Sequence, residues 1–411
     1  QRHLTIPCEM CIRDSPYMRR LSLIYISCFI ALASAAIVGC SRTDGIDNNN
    51  VITTPYALYF SDTAGALYYT NDGRTYDGSI FKPDGRPCRA LVTSVYNVLW
   101  AKTHVYYSAN NGKNFNHTYD TLTSLPFMRC DGQKGDLNQS SMVNLPDWDN
   151  RVYTTSNANN PNNWLGIAVS ANFGNPKSWG LDASYDTMGV GLLPARMYSF
   201  TQLANGKLCG LAYSGAPFDD YYHVRNFVKA GKDDQTNYDH RWKEVTANPD
   251  GILYHYMGNL TGTPLPPYGT NVDTSFFTLG HFNNRLIAID QRCRWGAWYS
   301  DDDGKNWAPY SGLPANTALL CIGAPFEDIC LIGTAGKGLY ILNQHTGVWE
   351  PNNNGLAMNA TVRGIAAKKN IYKNGNVRKY IYLATNSGIY ESTDGGRNWV
   401  KTIDGNYVAV Y

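Results

Sequence analysis

Residues 298–307 read Trp-Tyr-Ser-Asp-Asp-Asp-Gly-Lys-Asn-Trp, and residues 389–399 read Ile-Tyr-Glu-Ser-Thr-Asp-Gly-Gly-Arg-Asn-Trp. Both carry Ser-x-Asp-x-Gly-x-x-Trp behind an aromatic residue, and a turn built twice in one chain constrains the fold more than composition can. Asp302 and Asp394 can accept N–H groups of their own turn, and Ser300 and Ser392 can bond locally. Gly304 and Gly396 supply a positive φ at little steric cost. Trp307 and Trp399 then open the next strand and can bury their rings beneath the loop. Ser108, Asn110, Gly112 and Phe115 keep this spacing with Asn for Asp and Phe for Trp, while Thr70 and Asp72 belong to a copy one residue short. Residues 170–179 begin correctly and reach Trp179 two residues late. Residues 342–349 keep only strand, turn and Trp349, and 228–242 supply a long polar turn ending in Trp242.

The runs around the turns share one grammar. Before Asp302 come β-rich runs at 275–282, 285–290 and 295–300, with 307–310 after it; before Asp394 come 362–366, 379–385 and 389–392, with 399–402 after it. Four short strands per unit, repeated about every 40–60 residues, are the pattern of propeller blades. The turn resembles the Asp-box of sialidases and other Asp-box β-propellers, over most of residues 55–403 but only as a repeated turn. The expected fold is all-β: a seven-bladed β-propeller, with six or eight blades as alternatives, and Asp-box turns between the third and fourth strands of blades. The first blade is short of an inner strand, and residues 407–411 form a strand left over. This tail is expected to complete the first blade, with residues 51–54 as the competing segment.

The N-terminal part reads differently. Residues 1–17 are treated as a non-native extension, because the chain begins with Gln and residues 9–15 resemble a translated adapter. Met18-Arg19-Arg20 precedes an apolar run from Leu21 to Val38, the arrangement of a secretory signal over 18–39. Residues 36–40, Ala-Ile-Val-Gly-Cys, resemble a bacterial lipobox, which implies lipidation of Cys40 and an outer-membrane lipoprotein; a transmembrane anchor is the alternative. Residues 40–50 then form a flexible tether and 51–411 the propeller. Without residues 1–39 the chain has 31 basic and 31 acidic residues, so no nucleic-acid partner is expected. No Cys or His spacing marks a metal site, no cofactor is implied, and several cysteines lie in apolar runs where buried thiols are expected.

Antiparallel order places every box turn at one end and the second-to-third-strand and inter-blade loops at the other. The box residues are thus scaffold: Thr70, Asp72, Ser108, Asn110, Gly112, Ser300, Asp302, Gly304, Trp307, Ser392, Asp394, Gly396 and Trp399. The opposite end carries the long insertions, where binding usually lives. Its candidate binding residues are Arg196, Tyr221, Arg292, Arg294 and Trp295; segment 290–295 sets two cations and a Trp in one loop. The resemblance also implies a glycoside-hydrolase alternative, for which Asp186, Asp219, Asp220 and Asp290 are the carboxylate candidates. A sialidase is disfavoured: it needs an Arg cluster, a Tyr nucleophile and a Glu, and no Glu after the signal falls in these loops. The reading is a cell-envelope lipoprotein that binds glycan or protein opposite the boxes, held to the membrane through Cys40, without catalysis. A membrane-complex assembly factor is a third class.

Overall fold

The computed structural model describes residues 58–76, 78–81, 90–93, 98–101, 105–110, 112–117, 142–145, 151–155, 167–182, 195–215, 222–232, 241–245, 277–291, 296–372 and 375–411. The expected signal, Cys40 and the expected tether lie outside them, as does the competing segment 51–54. Among the described residues there is no helix; every regular element is a strand. By contact density the chain divides into a main unit, 56–369 with 378–411, and a second, 1–55 with 370–377. Within the second, Tyr372 donates its N–H to Asn376 and Gly375 to Tyr372, both at 2.9 Å, closing a turn.

In the first sheet β1 (Leu58–Asp62) pairs with β2 (Leu67–Thr70). The second sheet runs β3 (Ala90–Thr93), β4 (Val98–Ala101), β5 (Val105–Ser108), β6 (Asn116–His117). The third holds β7 (Met142–Leu145), β8 (Arg151–Thr155), β9 (Ile167–Ser170) and β10 (Trp179–Leu181). The fourth holds β11 (Ala195–Gln202), β12 (Leu208–Gly215), β13 (Tyr222–Lys229) and β14 (Lys243–Glu244). The fifth holds β15 (Phe277–Phe282), β16 (Arg285–Asp290), β17 (Ala297–Ser300) and β18 (Ala308–Pro309). The sixth holds β19 (Leu319–Phe326), β20 (Ile329–Thr334), β21 (Leu339–Asn343) and β22 (Val348–Pro351). The seventh holds β23 (Val362–Ile371), β24 (Val377–Thr385), β25 (Gly388–Ser392) and β26 (Val400–Ile403). The last strand, β27 (Tyr407–Val410), returns to the first sheet and pairs antiparallel with β1, with Phe60 opposite Val410. Tyr59 and Tyr411 exchange both backbone hydrogen bonds there, at 2.9 and 2.8 Å.

Why these residues make strands is visible in their burial. β20, Ile-Cys-Leu-Ile-Gly-Thr, is buried at every position, as a continuous apolar run must be when both faces meet neighbouring sheets. β17 and β9, with three of four residues buried, follow the same rule. The expected run at 362–366 is corrected: β23 continues to Ile371, because Lys368 is buried beside the acids Asp72 and Glu391 rather than ending the strand. Near Ile80 the fourth run of the first sheet is a single bridge, Leu67 opposite Phe81.

The core lies between sheets. Leu203, Cys209 and Leu211 of the fourth pack on Phe277, Leu286 and Trp307 of the fifth. Ile287 and Ile289 of the fifth pack on Leu319 and Ile332 of the sixth. Leu331 and Leu339 of the sixth meet Val362 and Leu383 of the seventh. The succession does not stop there: Tyr382, Ala384 and Ile389 of the seventh sheet share a cluster with Leu58, Phe60 and Val410 of the first. Cys209, Cys321 and Cys330 are free thiols, and burial pushes Cys321 up to about 12. The expectation of buried thiols holds for Cys209 and Cys330, while Cys321 is partly buried; Cys88, Cys130 and Cys293 lie outside the described residues.

Candidate functional site

The repeated turns share one construction. Ser300 Oγ donates to Asp302 Oδ1 at 2.8 Å and accepts the Gly304 N–H at 2.8 Å, while Asp302 Oδ1 also accepts the Asn306 N–H at 2.9 Å. Ser392, Asp394 and Gly396 repeat these contacts at 2.8 and 2.8 Å, with Asn398 N–H on Asp394 at 3.0 Å. Ser108 bonds Asn110 at 3.0 Å and receives Gly112 N–H at 2.9 Å. Thr70 bonds Asp72 at 2.8 Å and receives Gly73 N–H at 3.1 Å, one residue earlier, as its shorter spacing requires. Burial pushes the Asp72 carboxyl up, but N–H and O–H groups of Thr75, Arg74 and Thr70 outweigh it and hold the group at about 2. The same balance, with Asn398 as the main donor, holds Asp394 at about 2. Carboxylates so thoroughly hydrogen-bonded within their own turn are committed to structure.

Each turn also seats on the sheet before it. Asn226 of β13 donates to the Asp303 carbonyl at 2.7 Å, and a Cβ on Gly304 would lie 1.8 Å from that amide nitrogen. Gly304 has φ of 90°, so both the backbone and the neighbour demand glycine. Gly112 approaches Ile80 in the same way: a Cβ there would lie 2.6 Å from its Cδ1. The first turn seats on the last sheet: Gly73 abuts the Tyr382 ring, and Arg74 Nη2 lies 3.4 Å from Glu391 Oε1. Glu391 also accepts the Tyr382 hydroxyl at 2.9 Å.

At the other end, inner strands begin and loops return. Gln291 Nε2 donates to Thr278 Oγ1 at 2.6 Å and reaches the Leu320 carbonyl at 3.5 Å, joining the fifth and sixth sheets. Arg363, at the start of β23, donates to Asn406 Oδ1 at 2.6 Å and to the Tyr407 carbonyl at 3.3 Å. Asp290 ends β16 and has no exposed surface; its N–H donates to the Gly296 carbonyl at 2.9 Å, closing the base of the loop. Arg196 lies near the start of β11, opposite Tyr213. Asp186, Asp219, Asp220, Tyr221, Arg292, Arg294 and Trp295 lie outside the described residues. Sequence reasoning named Gln291 only within segment 290–295 and missed Thr278, Arg363 and Asn406; Thr278 and Arg363 stand at the start of inner strands, and that position was a signal for them.

A second group went unread in the sequence. Lys229 Nζ lies 2.8 Å from Asp182 Oδ2, the Trp242 indole donates to the same oxygen at 3.0 Å, and both charged residues are buried. Burial lowers the lysine's pKa and Asp182 opposes this, while the ammonium stands 5.6 and 5.8 Å from the Tyr153 and Trp242 ring centres. This bonds the third sheet to the fourth. Among the described residues no cluster of His, Cys, Asp and Glu could hold a metal, and no helix is long and apolar enough to cross a membrane.

No family model and no curated protein sequence matches this chain. It is similar in structure to YCF48 from Cyanidioschyzon merolae, 14% identical, with 78% of this chain and 86% of that chain covered and a TM-score of 0.42. It is similar also to the GH74 xyloglucanase from Xanthomonas campestris, at 14% identity, 86% and 60% coverage and a TM-score of 0.44. A Hadza microbial sialidase gives 12% identity, 76% and 68% coverage and a TM-score of 0.37. Likenesses this slight carry no reading of the present chain, whose architecture rests on its own sheets.

Proposed function

We propose that the chain is a seven-bladed Asp-box β-propeller lipoprotein of the cell envelope, anchored through Cys40, that binds a glycan or protein ligand on the rim opposite the box turns and does no chemistry on it. The observation that supports this reading is the division of labour between the two ends. At the box end the turn acids Asp72, Asp302 and Asp394 are bonded within their own loops. At the other end Gln291 and Arg363 gather polar groups where successive inner strands begin. The loops expected at the same end include segment 290–295 with Arg292, Arg294 and Trp295, and such side chains anchor both sugars and protein surfaces. Asp290, the one described carboxylate candidate, is fully buried, which supports binding over hydrolysis.

The test pairs a glycan array and a membrane-extract pull-down with a glycan-hydrolysis screen on the same protein. Retained ligand that is lost in Trp295→Ala or Arg363→Ala, with no hydrolysis, is the expected result. Product release that Asp290→Asn abolishes would replace the binding reading with a glycoside hydrolase. Metabolic labelling with a radioactive fatty acid, lost in Cys40→Ser, checks the anchor.

A further inference from the structure

The corner between the second and third strands is closed alike in three consecutive sheets, and in one of them its first side chain departs. Thr334 in the sixth sheet and Thr385 in the seventh end their second strands and have no exposed surface. They donate their hydroxyls to the carbonyls of Gly338 and Gly388, both at 2.8 Å. Asp290 stands at that place in the fifth sheet. It is equally buried, and its N–H donates to the Gly296 carbonyl at 2.9 Å, as the Thr334 N–H does to Gly338 at 3.0 Å. Gly296, Gly338 and Gly388 all have positive φ, so each corner closes on the same kind of residue. The side chain is what differs: an ionised carboxylate cannot donate to the carbonyl that the two threonines cap.

A hydroxyl would have served the fold, and a carboxylate is costly to bury. Departures of that kind are expected at functional sites. The first sheet shows what a carboxylate does at this place. Asp62, whose N–H donates to the Ala66 carbonyl at 3.2 Å, accepts the Ala66 N–H at 2.8 Å and the Tyr68 hydroxyl at 2.9 Å. It thereby ties its own corner to the strand that follows. The fifth sheet's corner is the longest of the four: residues 291–295 lie between Asp290 and Gly296, against 63–65, 335–337 and 386–387 in the others. Its first residue, Gln291, reaches Thr278 and the Leu320 carbonyl of the next sheet. By sequence the same corner includes Arg292, Arg294 and Trp295.

We propose that Asp290 is a positioning residue of the rim opposite the box turns: its carboxylate fixes corner 291–295 through that corner's own donors, and the corner so held meets a glycan. A carboxylate offers about four acceptor sites and a hydroxyl two, so Asp290 can gather several donors of a longer corner where a threonine could not. Having no exposed surface, it acts through the corner and touches no glycan itself. One corner of this size supplies a stacking face and a few fixed donors, the scale of a sugar, whereas a stable protein interface takes about 800 Å² from each partner. The glycan rests on the rim reading given under the proposed function; the hold of Asp290 on its corner does not.

The test compares the full wild-type chain with Asp290→Thr, which copies Thr334 and Thr385, and with Thr385→Asp, which moves the carboxylate to a shorter corner. Asp290→Thr should keep the urea midpoint, because the carbonyl cap it gains offsets the donors it gives up. Thr385→Asp should lower the midpoint, because the Gly388 carbonyl loses its cap and an acid is buried in its place. Limited trypsin digestion followed by mass spectrometry reads the corner directly, since Arg292 and Arg294 lie within it. Cleavage after them should be about 10-fold faster in Asp290→Thr, as local opening becomes easier. Glycans that wild type retains on the array should be held about 10-fold more weakly, the cost of ordering the corner's side chains anew on binding. Unchanged cleavage overturns the proposal. So does a midpoint that falls in Asp290→Thr as far as in Thr385→Asp, which would make Asp290 a structural group. Faster cleavage with unchanged glycan retention overturns the link to binding, and capture of a membrane protein but no glycan overturns the glycan. A wild type that retains nothing overturns the rim reading, while cleavage still decides what Asp290 holds.

Discussion

The Asn352 side chain donates to the carbonyl of Gly396 at 2.5 Å. In the fifth sheet the matching carbonyl, Gly304, receives the Trp307 indole N–H at 2.9 Å. Asn352 stands at that acceptor, and the Trp399 indole nitrogen is buried without a partner. Two turns identical in their recognisable residues thus differ in how their Trp is held. At Trp349 and Trp399 the chain leaving one sheet covers the next sheet's Trp: the Ser311 carbonyl receives the Trp349 backbone N–H at 3.0 Å, and the Asn354 carbonyl the Trp399 N–H at 2.9 Å.

The two indoles should consequently respond differently to the same change. Trp307→Phe removes a buried hydrogen bond as well as apolar area; Trp399→Phe removes area but no bond. Trp307→Phe is expected to cost about 1 kcal/mol more than Trp399→Phe. Urea unfolding of both variants measures this, and equal losses would show that the indole bond contributes nothing.

Acid should loosen the turns. Asp72 and Asp394 sit at about 2 in the folded chain, below the ordinary carboxylate value of 3.8. Stability that depends on their charge is complete above pH 4 and is lost as pH falls toward 2, because the unfolded chain takes up those protons first. Asp394→Asn, which copies the natural Asn110, should keep the turn and flatten part of this slope. Urea melts from pH 2 to 5 give the comparison, and an unaltered slope in the variant would exclude the turn as its source.

The turns were legible in the sequence because their chemistry is local: Ser300, Asp302 and Gly304 meet within five residues, so spacing alone states the hydrogen bonds. The tail strand was legible for a different reason, as a β-rich run left without a place once the first sheet was found short. Other features depend on partners distant in sequence. Lys368 and Lys369 read as the end of a strand, yet β23 continues through them because Asp72 and Glu391 compensate Lys368 from beyond its own hairpin. Asp182 and Lys229 lie 47 residues apart and share no motif. Of the candidate binding residues, Arg196 alone is within the described backbone; Gln291 lay in the segment 290–295 whose Arg and Trp drew the reading instead, and Arg363 was passed over because it carries no unusual local pattern.

The buried Asp182–Lys229 pair predicts a non-additive series. Removing one partner leaves the other charge buried, so Asp182→Leu or Lys229→Met alone should cost about 3–5 kcal/mol. D182L combined with K229M replaces both charges by apolar groups of similar bulk, and it should recover most of that loss. Asp182→Leu and the double variant also remove the acceptor of the Trp242 indole, which is Asp182. Urea unfolding of the four proteins forms the cycle; a double variant as unstable as the two losses summed would mean that the residues act independently.

Closing the first sheet depends on the last four-residue strand. Tyr407, Val408 and Val410 are buried, and Tyr407 presses edge-on against Phe60 with ring centres 5.0 Å apart. Arg363 of the seventh sheet holds the approach through Asn406 and the Tyr407 carbonyl. Removing residues 406–411 would strip β1 of one neighbour, expose the Tyr382 and Ile389 cluster, and leave an open strand edge that invites aggregation. Burial of those three side chains alone is worth about 1.5–3 kcal/mol each, a large share of the stability of an ordinary domain. Deletion should therefore replace a single sigmoidal urea transition by a broad, early one. Tyr407→Ala with the tail intact should shift the midpoint while keeping the transition sigmoidal. A deletion variant that melts like the full chain would mean that β27 is an accessory strand and that the first sheet is complete without it.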